Sequence, residues 1–364
     1  MFFKCGTNTG RVTVKKIVFI INSIEIGGTE KQFLQLIKFI QNKYRISIFA
    51  FSSGQLEKQF LRLNVSLKIC NYPGFKIFKL IFFLLKNKAD IYHFILPKSY
   101  IIGGLLTYFL NKRKIMSRRS LNNYHKKYMF FSKYVEQFLH RKMNKILVNS
   151  STIKEELINL ENVPSSKITV IPNFKLNKYS KPKIKPFRNS KVIFGYVANF
   201  IGYKGHSRLI EICSKLKTKK KWQLLLIGYS KNSLGQKIRN LIKINKLDDN
   251  IKILDGQSNI ESFYKKIDFS VSPSEEEGSS NFLLESISNA LPIIAFDVGG
   301  NKDFFNRNGN LVKKNDLKEF QYCIEKMIDC KNSIVLKKNS FNHSLKKFQN
   351  KESLKKYLDS YKIK

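Results

Sequence analysis

The chain has 364 residues, 43% of them hydrophobic, with 30 Phe and 16 Tyr; this suits about two domains with buried cores and excludes a disordered polypeptide. Its 67 Lys+Arg against 26 Asp+Glu give a formal net charge of +41, a field that attracts phosphate on nucleotide, anionic lipid or nucleic acid, although an AT-rich genome, by enriching Lys, Asn, Ile, Phe and Tyr together, supplies part of the same excess. The five cysteines, Cys5, Cys70, Cys213, Cys323 and Cys330, are scattered and form no C-x-x-C, which speaks against a disulfide scaffold or a zinc site and for a reducing cytosol.

Met1–Lys16 carries no apolar core of signal-peptide length. No stretch offers ~20 apolar residues without charge: Phe75–Leu85 is broken by Lys76 and Lys79, and Tyr100–Leu110 is too short. The expectation is a cytoplasmic protein, soluble or peripheral on the inner face of the cytoplasmic membrane. Short apolar runs then alternate with helical patterns. Strands are expected at Lys16–Ile21, Ile46–Phe51, Asp90–Phe94, Lys114–Ser117, Lys145–Asn149 and Ile168–Ile171. A second series follows at Val192–Val197, Trp222–Ile227, Ile251–Leu254, Phe269–Ser272 and Pro292–Phe296. Several of these are apolar without alternation, as in strands buried on both faces. Helices are expected at Glu30–Gln41, His206–Leu216, Leu234–Asn245 and Phe282–Ala290, so the chain reads as parallel α/β.

Phe174–Ser190 contains two prolines and no acid, with seven Lys/Arg counted through Lys191, a composition typical of an interdomain linker. The expected organisation is a first domain over 1–173, a linker over 174–190, a second domain over 191–340 and a basic amphipathic C-terminal helix over 341–364.

The densest chemistry lies in Val271–Gly300, VSPSEEEGSSNFLLESISNALPIIAFDVGG. A strand ends at Ser272-Pro273-Ser274, three acids and a Gly278-Ser279-Ser280 turn follow, and an apolar-periodic helix starts at Asn281. A helix start at the carboxyl edge of a parallel sheet presents backbone N–H groups and positive partial charge to a phosphate. Glu277 precedes the turn and Glu285 lies one turn inside the helix, so the two can address one ligand from two sides, each carboxylate accepting a pair of hydroxyls. Glu275 and Glu276 read simply as acids that favour the helix dipole.

This stretch resembles the signature of glycosyltransferase family 4, retaining enzymes of the GT-B fold. Pro273-Ser274, Glu277-Gly278, Leu284-Glu285 and Gly299-Gly300 match its pattern, with Glu277 and Glu285 as the two acids of its E-x7-E element and Ser280 and Asn281 inside it. Ser286 departs from the usual alanine. Further landmarks appear in order. Gly27-Gly28 resembles the glycine loop that faces the donor diphosphate, and Asp90-Ile91-Tyr92-His93 resembles a first-domain strand whose histidine, His93 here, touches ligand. Ile171-Pro172-Asn173 resembles the hinge into the second domain. Tyr203-Lys204-Gly205-His206 resembles the element whose lysine neutralises the donor pyrophosphate. Asn199 stands where many members carry an arginine, and Arg119 stands near where some carry an acceptor-facing histidine.

The resemblance implies two Rossmann-like domains facing each other across a donor cleft. It implies retaining transfer of a hexose-type sugar from a UDP- or GDP-sugar to a lipid-linked or polysaccharide acceptor of a surface glycan: lipopolysaccharide, O-antigen, capsule or exopolysaccharide. Glu277 and Lys204 would be catalytic. Gly27, Gly28, His93, Arg119, Asn199, Ser280, Asn281, Leu284 and Glu285 would bind substrate. The chain has no Asp-x-Asp, so neither a metal nor a cofactor is expected; the nucleotide-sugar is a co-substrate, and charge on its leaving group would be met by protein cations and dipoles. Between Lys112 and Lys145 there are eleven Lys/Arg and one acid, and Tyr128–Lys142 has an apolar stripe. A basic amphipathic helix of this kind suits an anionic membrane surface as well as ordinary core packing. The alternatives are a basic nucleic-acid-binding protein, for which no module or aromatic platform is found, and a protein that binds nucleotide-sugar without turnover.

Overall fold

The computed structural model describes residues 14–71, 73–121, 131–174, 182–255, 260–348 and 350–363. A first sheet contains β1 (Lys16–Ile21), β2 (Arg45–Ala50), β3 (Ser66–Ile69), β4 (Ile91–Ile95), β5 (Arg113–Arg118), β6 (Lys145–Val148) and β7 (Ile168–Val170), in the order β3-β2-β1-β4-β5-β6-β7. β1 pairs in parallel with β2 and β4, placing Phe19 opposite Ile48 and His93. Ile17 to Ile21 are fully buried, the burial expected of a central strand covered on both faces.

The second sheet contains β8 (Val192–Val197), β9 (Trp222–Gly228), β10 (Ile251–Asp255), β11 (Phe269–Ser272), β12 (Ile293–Asp297) and β13 (Gly309–Lys313), in the order β10-β9-β8-β11-β12-β13. All of its pairings are parallel. Strand order reverses between β8 and β11, as it does between β1 and β4 in the first sheet, which is the doubly wound arrangement of a Rossmann-like domain. Phe194 and Phe269 stack across this central pair at 5.0 Å between centroids.

The chain folds into two compact units. One comprises Met1–Ser117, Tyr134–Ile146 and Tyr361–Lys364; the other comprises Arg118–Lys133 and Leu147–Ser360. Of the expected linker, 175–181 lie outside the described residues. Its far end is anchored: Phe187 is buried, stacks on Phe269 at 5.9 Å and donates its N–H to Ser333 Oγ at 3.1 Å.

Local chemistry sets the helix starts. Ser150, Asn232, Ser280 and Asp316 each accept a backbone N–H three residues on with their side-chain oxygen, satisfying one orphan donor of the first turn. Two strands escape the sequence pattern, β3 and β13. Both are edge strands with half-exposed residues, so neither presents the continuous apolar run that marks the central strands. The C-terminal region forms two helices, Ser333–Lys347 and Asn350–Tyr361, rather than one. Phe341, Leu354, Tyr357 and Tyr361 on these helices are buried, and Phe348 between them stacks on Phe304 at 4.8 Å, whereas Ile334, Val335 and Leu345 stay exposed. Cys70, Cys213, Cys323 and Cys330 are free thiols, and Cys5 lies outside the described residues.

Candidate active site

After β8 the chain runs through residues 198–205 into the helix His206–Ser214; after β11 it runs through residues 273–280 into the helix Asn281–Ser288. Because strand order reverses between β8 and β11, these loops flank the crevice at the carboxyl edge of the second sheet, where open α/β sheets bind ligands.

The two loops are fastened together. Gly205 has φ +72°, and a Cβ there would run into the carbonyl oxygen of Pro273; only glycine combines that dihedral with so close an approach. The Tyr196 hydroxyl donates to the Lys204 carbonyl at 3.0 Å and accepts from Ser274 Oγ at 2.8 Å. Glu275 N–H donates to the Tyr203 carbonyl at 2.8 Å. Burial, reinforced by the Glu277 carboxylate, raises the Tyr196 pKa far above the usual phenol range, so the hydroxyl stays protonated as a donor.

These constraints deliver Lys204 Nζ to Glu277 Oε1 at 2.6 Å, with the two side chains only 18% and 11% exposed. Arg208, one turn after Lys204, pairs with Glu275 at 2.9 Å, so Glu275 does more than bias a helix dipole. His206 follows Gly205 directly. It is buried, stacks on Phe200 at 4.1 Å, and has its pKa lowered to about 4, chiefly by desolvation. Its ring is therefore neutral at ordinary pH. From the β12 side, a Cβ on Gly299, with φ +52°, would strike the Glu277 carbonyl oxygen.

Ser280 caps the helix Asn281–Ser288, its Oγ accepting from Leu283 N–H at 3.3 Å. One turn inside, Glu285 Oε2 accepts the Tyr264 hydroxyl at 2.8 Å. Burial and the facing carboxylate both push the Tyr264 pKa up, so it too remains a proton donor. At the helix start, Asn173 Nδ2 donates to Asn281 Oδ1 at 2.8 Å and to the Ser279 carbonyl at 3.2 Å. Asn173 Oδ1 accepts from Arg119 at 2.9 Å, and Arg119 donates its other arm to the Tyr357 hydroxyl at 2.6 Å. Arg119 thus belongs to the same compact unit as Glu277 and is tied to the helix start through one asparagine.

The residues expected to bind or react divide accordingly. Lys204 with Glu277, Arg119 with Asn281 through Asn173, Glu285 with Tyr264, and the cap Ser280 form separate hydrogen-bonded groups within the second unit. Asn199 is exposed at the end of β8, its Oδ1 accepting the Tyr229 N–H at 3.2 Å. Gly27 and Gly28 lie in the first unit, where Gly27 precedes the helix Gly28–Ile40 and the buried Glu30 carboxylate occupies the space a Gly27 side chain would need. Two further expected residues have buried side chains. Leu284 is 2% exposed; it faces the core because it lies on the apolar stripe of its helix, leaving only backbone for a ligand. His93 is fully buried, bonded at Nδ1 to the Tyr361 hydroxyl at 2.9 Å and at Nε2 to Ser117 Oγ at 2.7 Å. Both of its nitrogens are thus engaged inside the first unit.

Tyr196, Tyr264, Asn173 and Arg208 make their contacts in the second unit without having been singled out as site residues. Asn173 falls inside the Ile171-Pro172-Asn173 motif, a usable signal, whereas Tyr196 lies in the expected strand Val192–Val197 with nothing to mark its hydroxyl. Tyr264 lies 21 residues from its partner Glu285, and nothing in the spacing points to it.

Two family descriptions match the chain: "Glycosyltransferase Family 4" over residues 26–174 and "Glycosyl transferases group 1" over residues 177–357. The chain belongs to glycosyltransferase family 4. Among the relatives of this glycosyltransferase, the capsular polysaccharide biosynthesis glycosyltransferase CapH of Staphylococcus aureus is 23% identical over 79% of this chain and 83% of its own length. The N-acetylgalactosamine-N,N'-diacetylbacillosaminyl-diphospho-undecaprenol 4-alpha-N-acetylgalactosaminyltransferase of Campylobacter jejuni is 22% identical over 78% of this chain and 81% of its own. Anabaena HepE, solved in complex with UDP and glucose, superposes with TM-score 0.81 at 15% identity, over 95% of this glycosyltransferase and 99% of HepE. That likeness establishes the GT-B fold, two Rossmann-like domains each built on a parallel sheet.

Proposed function

We propose that this family 4 glycosyltransferase moves a hexose-type sugar from a UDP- or GDP-sugar to a lipid-linked or polysaccharide acceptor during surface-glycan biosynthesis, with retention of anomeric configuration and without a metal. The observation that carries the reading is the 2.6 Å Lys204–Glu277 pair, beside the Ser280-capped helix start and with Glu285 one turn inside. In the reaction, Lys204 and the positive end of the helix Asn281–Ser288 meet the diphosphate and stabilise its charge as the sugar departs. Glu285, oriented by Tyr264, accepts the ribose hydroxyls. Glu277, released from Lys204 as the diphosphate takes its place, accepts sugar hydroxyls and stabilises the developing positive charge on the anomeric carbon. Arg119 and Asn173 hold the helix start in position. The acceptor class follows the names of the relatives, one of which acts in capsule synthesis and another on a diphospho-undecaprenol substrate.

The test is thermal unfolding with UDP, GDP, UDP-sugars and GDP-mannose, each with and without EDTA, because a ligand that binds only the folded state raises Tm. A shift with one nucleotide that survives EDTA and disappears in Glu285→Ala supports the reading and identifies the base. A shift abolished by EDTA overturns metal independence. Absence of any shift, with tight salt-sensitive binding to RNA or DNA instead, overturns the donor site. The anomeric configuration of the product, read by NMR, tests retention.

A further inference from the structure

The helix Lys76–Lys86, KIFKLIFFLLK, is apolar at eight of its eleven positions, on two sides. Its inner side does the expected work: Leu80, Phe83 and Leu84 are buried in the first unit. Its outer side faces solvent, with Phe78 and Phe82 each 71% exposed, Leu85 69% and Ile77 50%, continued by Phe75 at 64% just before the helix. A helix that is apolar all round ordinarily has an apolar neighbour on each side, and a contiguous exposed patch of this kind marks an interaction surface. Beside edge strand β3, Phe75, Phe78, Phe82 and Leu85 line an open groove of about 780 Å³ that Lys68, Lys79 and Lys86 also line.

We propose that this face docks the protein onto an anionic lipid bilayer, with Phe78, Phe82 and Leu85 entering the headgroup–acyl boundary and the flanking lysines meeting lipid phosphates. The inference stands on this helix and not on the donor reading. Charge complementarity selects the partner. From Lys58 to Ala89 the chain has seven Lys/Arg and no acid. A second copy packed isologously on this face would bring the same lysines against one another, whereas an anionic leaflet offers apolar depth and negative charge together. Eleven residues of helix reach about 16 Å, too short to span a bilayer, and among the described residues no helix is long and apolar enough to cross one. The helix therefore lies in the interface. This places membrane contact on Lys76–Lys86 rather than on 128–142. Of that segment, 128–130 lie outside the described residues, and the outward Phe138 of helix Phe131–His140 is stacked on Tyr108 at 5.0 Å.

The experiment is co-sedimentation of the full chain with phosphatidylcholine vesicles, pure or about one-third phosphatidylglycerol. It compares wild type with the double variant Phe78→Ser/Phe82→Ser, whose sites are exposed enough to leave folding intact. Wild type should partition onto the anionic vesicles about tenfold or more above the neutral ones, and the double variant should lose about tenfold of that binding, with Tm and any nucleotide-induced Tm shift unchanged. No binding by wild type overturns the proposal. So does salt-sensitive binding that the double variant retains, which would place contact elsewhere on the basic surface. Concentration-dependent dimers of wild type that the variant dissolves overturn it in favour of a second copy. Because the nucleotide shift is read on the same samples, failure of vesicle binding and failure of the donor site are separable.

Discussion

Replacing His206 with phenylalanine tests how completely the Lys204 loop is buried against its sheet. His206 is 2% exposed and stacked on Phe200 at 4.1 Å, and Nδ1 has no hydrogen-bond partner among the described residues. Desolvation lowers its pKa from 6.5 to about 4, against a partly opposing hydrogen bond to the Ala198 backbone and with help from Lys204. A depressed histidine pKa means that the unfolded chain binds the proton more readily than the folded one. Stability is therefore full above 6.5 and falls as pH drops through the window from 6.5 to about 4. The gap of about 2.5 pH units, at 1.36 kcal/mol each, amounts to about 3 kcal/mol, of which about 2 kcal/mol is lost by pH ~5. Phenylalanine keeps the stacking but cannot titrate. It strands the Ala198 carbonyl, a pH-independent cost of about 1–3 kcal/mol. Urea unfolding of wild type and His206→Phe across this window should give two curves that converge as pH falls, since only wild type carries the histidine's slope. Parallel curves would refute the burial argument, because any loss common to both proteins belongs to other groups.

The remaining expectations concern ligand and loop. Lys204→Ala should weaken nucleotide diphosphate binding about 10- to 100-fold, the worth of one charge-assisted hydrogen bond, in calorimetric titration with UDP or GDP; a nucleoside lacking phosphates should bind both proteins equally. Tyr264→Phe removes the hydroxyl that orients Glu285 and should weaken nucleotide binding about tenfold, with little change for a 2′-deoxyribose analogue that already lacks one hydroxyl. Gly205→Ala meets both a φ of +72° and the Pro273 carbonyl; it should cost at least ~1–3 kcal/mol of stability, seen as a lower denaturant midpoint, and should also impair nucleotide binding by displacing Lys204.

Much of the site is legible in one dimension because its parts are neighbours in sequence. A strand end at Ser272, then Glu277, a Gly-Ser-Ser turn and a helix start before Glu285 form one local unit, and the capping by Ser280 follows from residue type alone. Lys204-Gly205 is legible for the same reason. The central strands β1, β8, β11 and β12 declare themselves through continuous apolar runs, which only a strand covered on both faces can bury. Edge strands β3 and β13 do not, because one exposed side dilutes the signal.

What only the folded molecule decided are partnerships between distant residues. The 2.6 Å approach of Lys204 to Glu277 spans 73 positions and depends on β8 and β11 being neighbours in the sheet. Tyr264 reaches Glu285, and Arg119 reaches Asn281 through Asn173, for reasons that no local period encodes. His93 shows the converse. Its sequence surroundings match a ligand-touching histidine, yet Tyr361, 268 positions away, and Ser117 occupy both ring nitrogens. The outer face of Lys76–Lys86 makes the same point: composition shows that the helix is apolar, but which side is buried follows from where its own sheet lies. Sequence periodicity records which residues avoid water and where backbone groups need caps, since those are local energies; which distant polar atoms satisfy one another is set by strand order, and strand order is a property of the assembled sheet.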